Sequence, residues 1–170
     1  MTLRLIGALL IFVGCGGVGI SLAVGYRKQM QQLSQLQEIL SYMENELSFR
    51  SPQLPQLCRE ASRMVSGSMA KLFNMLADEL DAQIFPNAGA CMRKSISMHT
   101  DLSKSAKILL GRLGQCLGRF DLQGQLNAIS AVKEECGLLL NNLRSQQDVR
   151  IRNYQTLGLC AGAALAILLI

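Results

Sequence analysis

The residues able to do chemistry are few in this chain. Six cysteines stand at 15, 58, 91, 116, 136 and 160, one histidine at 99, and twelve carboxylates are spread among seventeen lysines and arginines. Zinc and redox sites built from cysteine need thiols a few residues apart, so that neighbouring turns reach one ion or one bond. The closest pair here is 20 residues apart, Cys116 and Cys136. Cys58, Cys116 and Cys136 fall among apolar residues at helical spacing, and buried, reduced thiols are expected there. One histidine excludes a His-rich metal centre. A Ser-His-Asp triad would have to be built on His99, which lies in a polar stretch where an exposed ring is expected. No G-x-x-x-x-G-K-[ST] run occurs, and the glycines of residues 14–19 sit in an apolar segment with no lysine after them, so no phosphate cradle is expected. Met43, Met64 and Met69 fall on apolar stripes and read as core filling. The net charge is +5, but acids and bases are interspersed, and with five Phe, three Tyr and no Trp there is little to stack on bases. The chemistry implied is therefore binding: no cofactor, metal, nucleic acid or small-molecule substrate, and no enzyme.

Charge is segregated along the chain. Residues 5–25 are 21 uncharged positions, a helix of about 31 Å against a hydrocarbon core of about 30 Å. A second run, 154–170, has 17 residues, roughly 26 Å and near the lower limit for crossing. A cleaved signal peptide fits the first run less well, because the apolar stretch continues through Val24 with no small-x-small site before polar sequence. A lipidation box at Cys15 fits less well too, with Phe12 in its first position and apolar residues following. Arg27 and Lys28 follow the first run and Arg144, Arg150 and Arg152 precede the second, which places residues 26–153 in the cytoplasm. Gly17, Ser21 and Gly25, and likewise Gly158, Gly162 and Ala166, recur at four-residue spacing. They are candidate packing faces for membrane helices, although glycine and alanine are also simply common there.

The middle reads as helix throughout. Leu33, Leu36, Leu40, Met43 and Leu47 step by three and four, predicting a helix over 26–49 that continues from the first membrane segment. Ser51-Pro52 and Pro55 end it. A helix over 52–65 presents Leu54, Leu57, Ala61, Met64 and Val65. Gly67 breaks it, and the next, 68–81, presents Met69, Leu72, Phe73, Leu76 and Leu80. Residues 85–89 form a loop, and 90–99 a weak helix. Asp101 or Ser103 caps a helix carrying Leu102, Ala106, Leu109, Leu113 and Leu117, which ends at Gly118. Asp121 caps the last, with Leu126, Ile129, Val132, Cys136, Leu139 and Leu143. The expected fold is all-α: a compact cytoplasmic bundle of about six helices (26–153), flanked by N- and C-terminal transmembrane helices (1–25 and 154–170).

Two stretches carry a family resemblance. One is Met43-Glu44-Asn45-Glu46-Leu47-Ser48-Phe49-Arg50-Ser51-Pro52-Gln53-Leu54. The other is Leu113-Gly114-Gln115-Cys116-Leu117-Gly118-Arg119-Phe120-Asp121, followed by Gln125 and Ile129. With the order of apolar ends around them, the whole chain resembles the stage III sporulation protein AB family. Departures are mild: Met43 for Leu, Leu47 for Ile, Ser51 for Thr, Phe120 for a small residue, and one extra residue before Leu54. The resemblance implies a multi-pass protein of the mother-cell membrane around the forespore, within a complex spanning both membranes. It implies a soluble domain similar to that of the type II secretion platform protein F. The implied partners are a cytoplasmic ATPase, stage III sporulation protein AA, and further small membrane subunits.

The motif residues also have local readings. Ser51 and Asp121 suit helix N-caps, Pro52 a first-turn proline and Gly118 a left-handed C-cap, while Gln125 is placed to bond across the same corner. Turn chemistry is the stronger reading for these positions. Partner contact is the other, and Glu44, Glu46, Arg50, Asp121 and Gln125 are its candidates, the two glutamates lying off their helix's apolar stripe. An alternative function is a membrane-anchored regulator that homodimerises through residues 33–47 as a short coiled coil.

Overall fold

In a computed structural model of the chain, the three-four spacing becomes six helices and, among the described residues, no strand: α1 (Thr2–Phe49), α2 (Leu54–Met64), α3 (Gly67–Ala82), α4 (Ala88–Met98), α5 (Lys104–Cys116) and α6 (Leu122–Leu169). The structure describes the backbone of residues 2–50, 52–118 and 121–169, and the side chains of 25–50, 52–118 and 121–145. The chain divides into two units, residues 29–140 and residues 1–28 with 141–170.

Within residues 29–140 each helix reverses the direction of the one before. Tyr42 Oη donates to Glu60 Oε2 (2.8 Å) and Gln35 Nε2 to Ser66 Oγ (3.4 Å), which runs α2 back along α1. Ser62 Oγ meets Asn74 Oδ1 (2.7 Å), and Arg59 pairs with Asp78 and Asp81 at 2.9 and 2.6 Å, which returns α3 along α2. Lys94 pairs with Glu79 at 2.6 Å between α4 and α3. The circuit closes where α6 meets α1: Lys133 pairs with Glu44, and the Cys136 thiol donates to the Leu33 carbonyl (3.3 Å).

The core gathers the predicted stripes. Leu33, Leu36, Leu40 and Met43 are fully buried and Leu47 nearly so, with Leu72, Phe73, Leu76, Leu109 and Leu113 also sealed from solvent. Among the described residues its one buried glutamine, Gln32, is satisfied on both sides: Nε2 donates to the Asp101 carbonyl (3.1 Å) and Oε1 accepts from the Ser103 N–H (2.8 Å). This ties the α4–α5 loop to α1.

Several expectations need correction. Pro52 is not the first-turn proline. The first helical bond of α2 is Leu57 N–H to Gln53 O (3.0 Å), so Pro55 takes that place, where a missing N–H costs nothing. Met64 is 45% exposed, because α2 ends at it, whereas Cys58 and Ser62 turn inward. α4 starts earlier than predicted, at Ala88, because the Asn87 side chain accepts from the Ala90 N–H (2.9 Å). On α6 the buried line is Ile129, Val132, Cys136 and Leu140, not Leu139 and Leu143. His99 is half-buried rather than exposed, its Nδ1 2.8 Å from the Ser95 carbonyl. Cys91 is buried and Cys116 only half so.

Of the other unit, the backbone is helical, and Ser145 Oγ donates to the Asn142 carbonyl (3.0 Å). The candidate spans fall almost wholly on side chains outside the described residues, as do Gly17, Ser21, Gly158, Gly162 and Ala166. Gly25 is described and exposed, and a Cβ there would meet nothing within 4 Å. Among the described residues, no helix is long and apolar enough to cross a membrane.

Burial also sets thiol reactivity. It pushes the Cys58 thiol up to about 12 and the Cys136 thiol up to about 11. The thiolate is the reactive form, so alkylation of Cys58 at pH 8 is expected to be on the order of a thousandfold slower in the folded chain than in urea, where an ordinary thiol near 8.5 applies. Peptide mass mapping after timed iodoacetamide pulses reads this directly. Equal rates in the two states would contradict a closed core at Cys58.

Candidate docking surface

The residues that motivated a partner reading come from two corners. The first is the end of α1. Its last turn closes with Arg50 N–H donating to the Glu46 carbonyl (2.9 Å) and Ser48 Oγ to the Glu44 carbonyl (2.8 Å). The second is the α5–α6 turn. Gly118 holds φ +70°, a conformation that disfavours side chains, which lets the chain leave α5 sharply. Asp121 then caps α6, its Oδ1 accepting the Gly124 N–H at 3.1 Å and its carbonyl the Gln125 N–H at 2.9 Å.

The antiparallel packing of α1 and α6 sets these corners at one end of the bundle. The start of α2 joins them: the position a Gly118 Cβ would occupy lies 3.8 Å from Leu54 Cδ2. The two family-like stretches, far apart in sequence, thus meet.

Charge at this end is organised around Tyr42. Burial first, then the Glu60 hydrogen bond and the negative charges of Glu60 and Glu46, raise its hydroxyl to about 12, with Arg50 opposing. Glu60 is held below the usual carboxylate range by donors from Gln56 (3.0 Å) and Tyr42. Glu46, Arg50 and Glu60 therefore share one neighbourhood. Glu44 does not belong to it as a free group: it is half-buried and bound to Lys133. Arg50 and Asp121 are exposed, and Glu46 and Gln125 half-buried.

Sequence reasoning missed the apolar part of this surface. Phe49 is 86% exposed, and Ile84 and Leu122, at neighbouring helix ends, are exposed as well. The signal was present: Phe49 is two residues past Leu47, about 200° round the helix from the buried stripe. Tyr42 and Glu60 were missed too. Among the described residues no cluster of His, Cys, Asp and Glu could hold a metal ion.

Comparison with known proteins agrees with the two stretches. The sequence profile of stage III sporulation protein AB matches residues 4–170. The chain belongs to the stage III sporulation protein AB family. It is similar to stage III sporulation protein AB of Bacillus subtilis (strain 168), at 25% identity over 170 residues, covering 98% of this chain and 99% of that protein. A solved structure of stage III sporulation protein AB matches at a TM-score of 0.64 and 20% identity, covering 72% of this chain and 98% of that one. At that identity the likeness concerns the fold, an all-helical one.

Proposed function

We propose that this family member acts in sporulation as a non-enzymatic, membrane-anchored adaptor. Its apolar ends, 1–25 and 154–170, cross the mother-cell membrane and pack with other membrane subunits. Its helical domain, on the cytoplasmic side, docks a cytoplasmic ATPase, the one the family resemblance names as stage III sporulation protein AA. The observation that carries the docking reading is the meeting of both family-like stretches, through Leu54 and Gly118, at the end that also bears exposed Phe49, Arg50 and Asp121. An exposed aromatic with an arginine and a polar rim is the composition of binding anchors.

The homodimer alternative loses its seam. The five residues of the 33–47 stripe are between 0% and 5% exposed, covered by the chain's own helices.

Recovery of purified ATPase by the detergent-solubilised full chain tests the reading. Phe49→Ala with Arg50→Glu is expected to lower recovery by about 30-fold, the scale of a lost anchor. Both side chains are exposed, so the thermal midpoint should hold. Undiminished recovery would remove this end of the bundle as the docking site.

A further inference from the structure

The opposite end of the bundle has a different character. There α2 and α4 finish and α3 and α5 begin, and Gln29, the first residue of the unit, donates to Ser105 Oγ at 3.1 Å. Arg63 stands in the last turn of α2, Lys71 near the start of α3, and Lys104 and Lys107 at the start of α5. The first three are exposed, Lys107 is half-buried, and none of the four forms an ion pair among the described residues. The one acid in the loops at this end, Asp101, is engaged by the Ser68 hydroxyl.

The lysines oppose local helix preference, whereas Arg63, in the last turn of α2, suits it. The start of a helix carries partial positive charge and favours acids, yet neither α3 nor α5 has an acid in its first turn. Lysines at 71, 104 and 107 add positive charge near those starts, and the one loop acid set against it is Asp101, held by Ser68 in the first turn of α3. Two exposed methionines share the end, Met64 (45%) and Met98 (67%), in the last turns of α2 and α4. Cations ringing flexible apolar side chains match a lipid headgroup layer: anionic heads for the bases, the upper acyl region for the thioethers.

We propose that the end formed by the α2–α3 and α4–α5 loops rests on an anionic bilayer surface through Arg63, Lys71, Lys104 and Lys107. The inference rests on the membrane-anchor reading above. If 1–25 crosses the bilayer, only three residues lie between Gly25 and Gln29, a reach of at most about 14 Å. Each cation near an anionic surface is worth roughly fivefold in partition, so four make the contact dependent on lipid charge and salt.

Hydrogen–deuterium exchange on the full chain in nanodiscs tests this, comparing phosphatidylcholine alone with equal parts phosphatidylcholine and phosphatidylglycerol. Peptides covering 65–67 and 99–103 are expected to exchange at least about fivefold more slowly in the anionic discs. High salt, or Arg63→Gln, Lys71→Gln, Lys104→Gln and Lys107→Gln together, should abolish the difference. Peptides over 83–87 serve as the control at the far end, and α1 core amides report that the variant is folded. Equal loop exchange in both discs, or protection that ignores salt, overturns the proposal alone. A chain recovered with neither disc overturns the anchor reading and this one with it.

Discussion

Alanine at Gly114 is expected to destabilise the bundle by roughly 1–3 kcal/mol, seen as a lower urea midpoint at unchanged slope. α4 and α5 cross at two glycines. A Cβ on Gly114 would lie 2.5 Å from Met92 Cβ and 2.7 Å from its Cγ, and one on Gly89 would lie 3.2 Å from the Gly114 carbonyl oxygen. Met92 cannot swing clear, because its Cβ is fixed to the α4 backbone and the side chain is fully buried. The helices must part instead, which loosens contacts along both. Met92→Ala in the same chain removes only the Cγ conflict and should restore only a fraction of the loss. An unchanged midpoint for Gly114→Ala would show that α4 gives way freely and does not help hold the fold.

Phe73→Ala is expected to cost more, roughly 3–5 kcal/mol. Phe73 heads the fully buried side chains by size, and α3 packs against both α2 and α4. Its loss leaves a cavity in a core sealed from solvent. Domains of this kind are stable by about 5–15 kcal/mol, so the variant stands close to unfolding at ordinary temperature. Phe73→Leu, which keeps most of the volume, should lose about 1–2 kcal/mol. Calorimetry on the two variants separates the cavity from the fold: similar midpoints for Ala and Leu would mean the site collapses without penalty.

The sequence was most legible where one helix's own period decides the outcome. The steps 33, 36, 40, 43 and 47 predict a buried face, and all five are buried. Three caps were legible for the same local reason: Ser103 Oγ accepts the Ala106 N–H at 3.3 Å, Asp121 caps α6, and Gly118 takes the left-handed conformation, whereas the cap expected at Ser51 lies outside the described residues and α2 starts from Gln53. What a pair of helices decides was not legible. Glu44 is off its stripe and looks free, yet Lys133, 89 residues away, claims it. α4 looked weak because its buried face is Gly89, Cys91, Met92 and Ser95. Its packing comes from backbone approach at Gly114, which leaves no apolar periodicity to find. On α6 the buried line drifts from 136 to 140, since a straight helix of 3.6 residues per turn outruns a strict three-four alternation. At the end where α1 finishes and α6 begins, Arg50 and Asp121 were visible as motif residues. Phe49 ends its helix on the bare side, where the apolar period that marks the buried stripe carries no information.

The closure of α6 on α1 sets the order of events on the ribosome. One flank of α1 waits for a covering that is encoded near the far end of the message. The Glu44–Lys133 pair spans 89 residues and the Leu33–Cys136 contact spans 103. At translation speeds of about 5–20 residues per second, that leucine-rich flank stays wet for on the order of 5–20 s. During that interval the nascent chain is a substrate for whatever holds greasy helices apart, and only the arrival of the last helix ends the dependence.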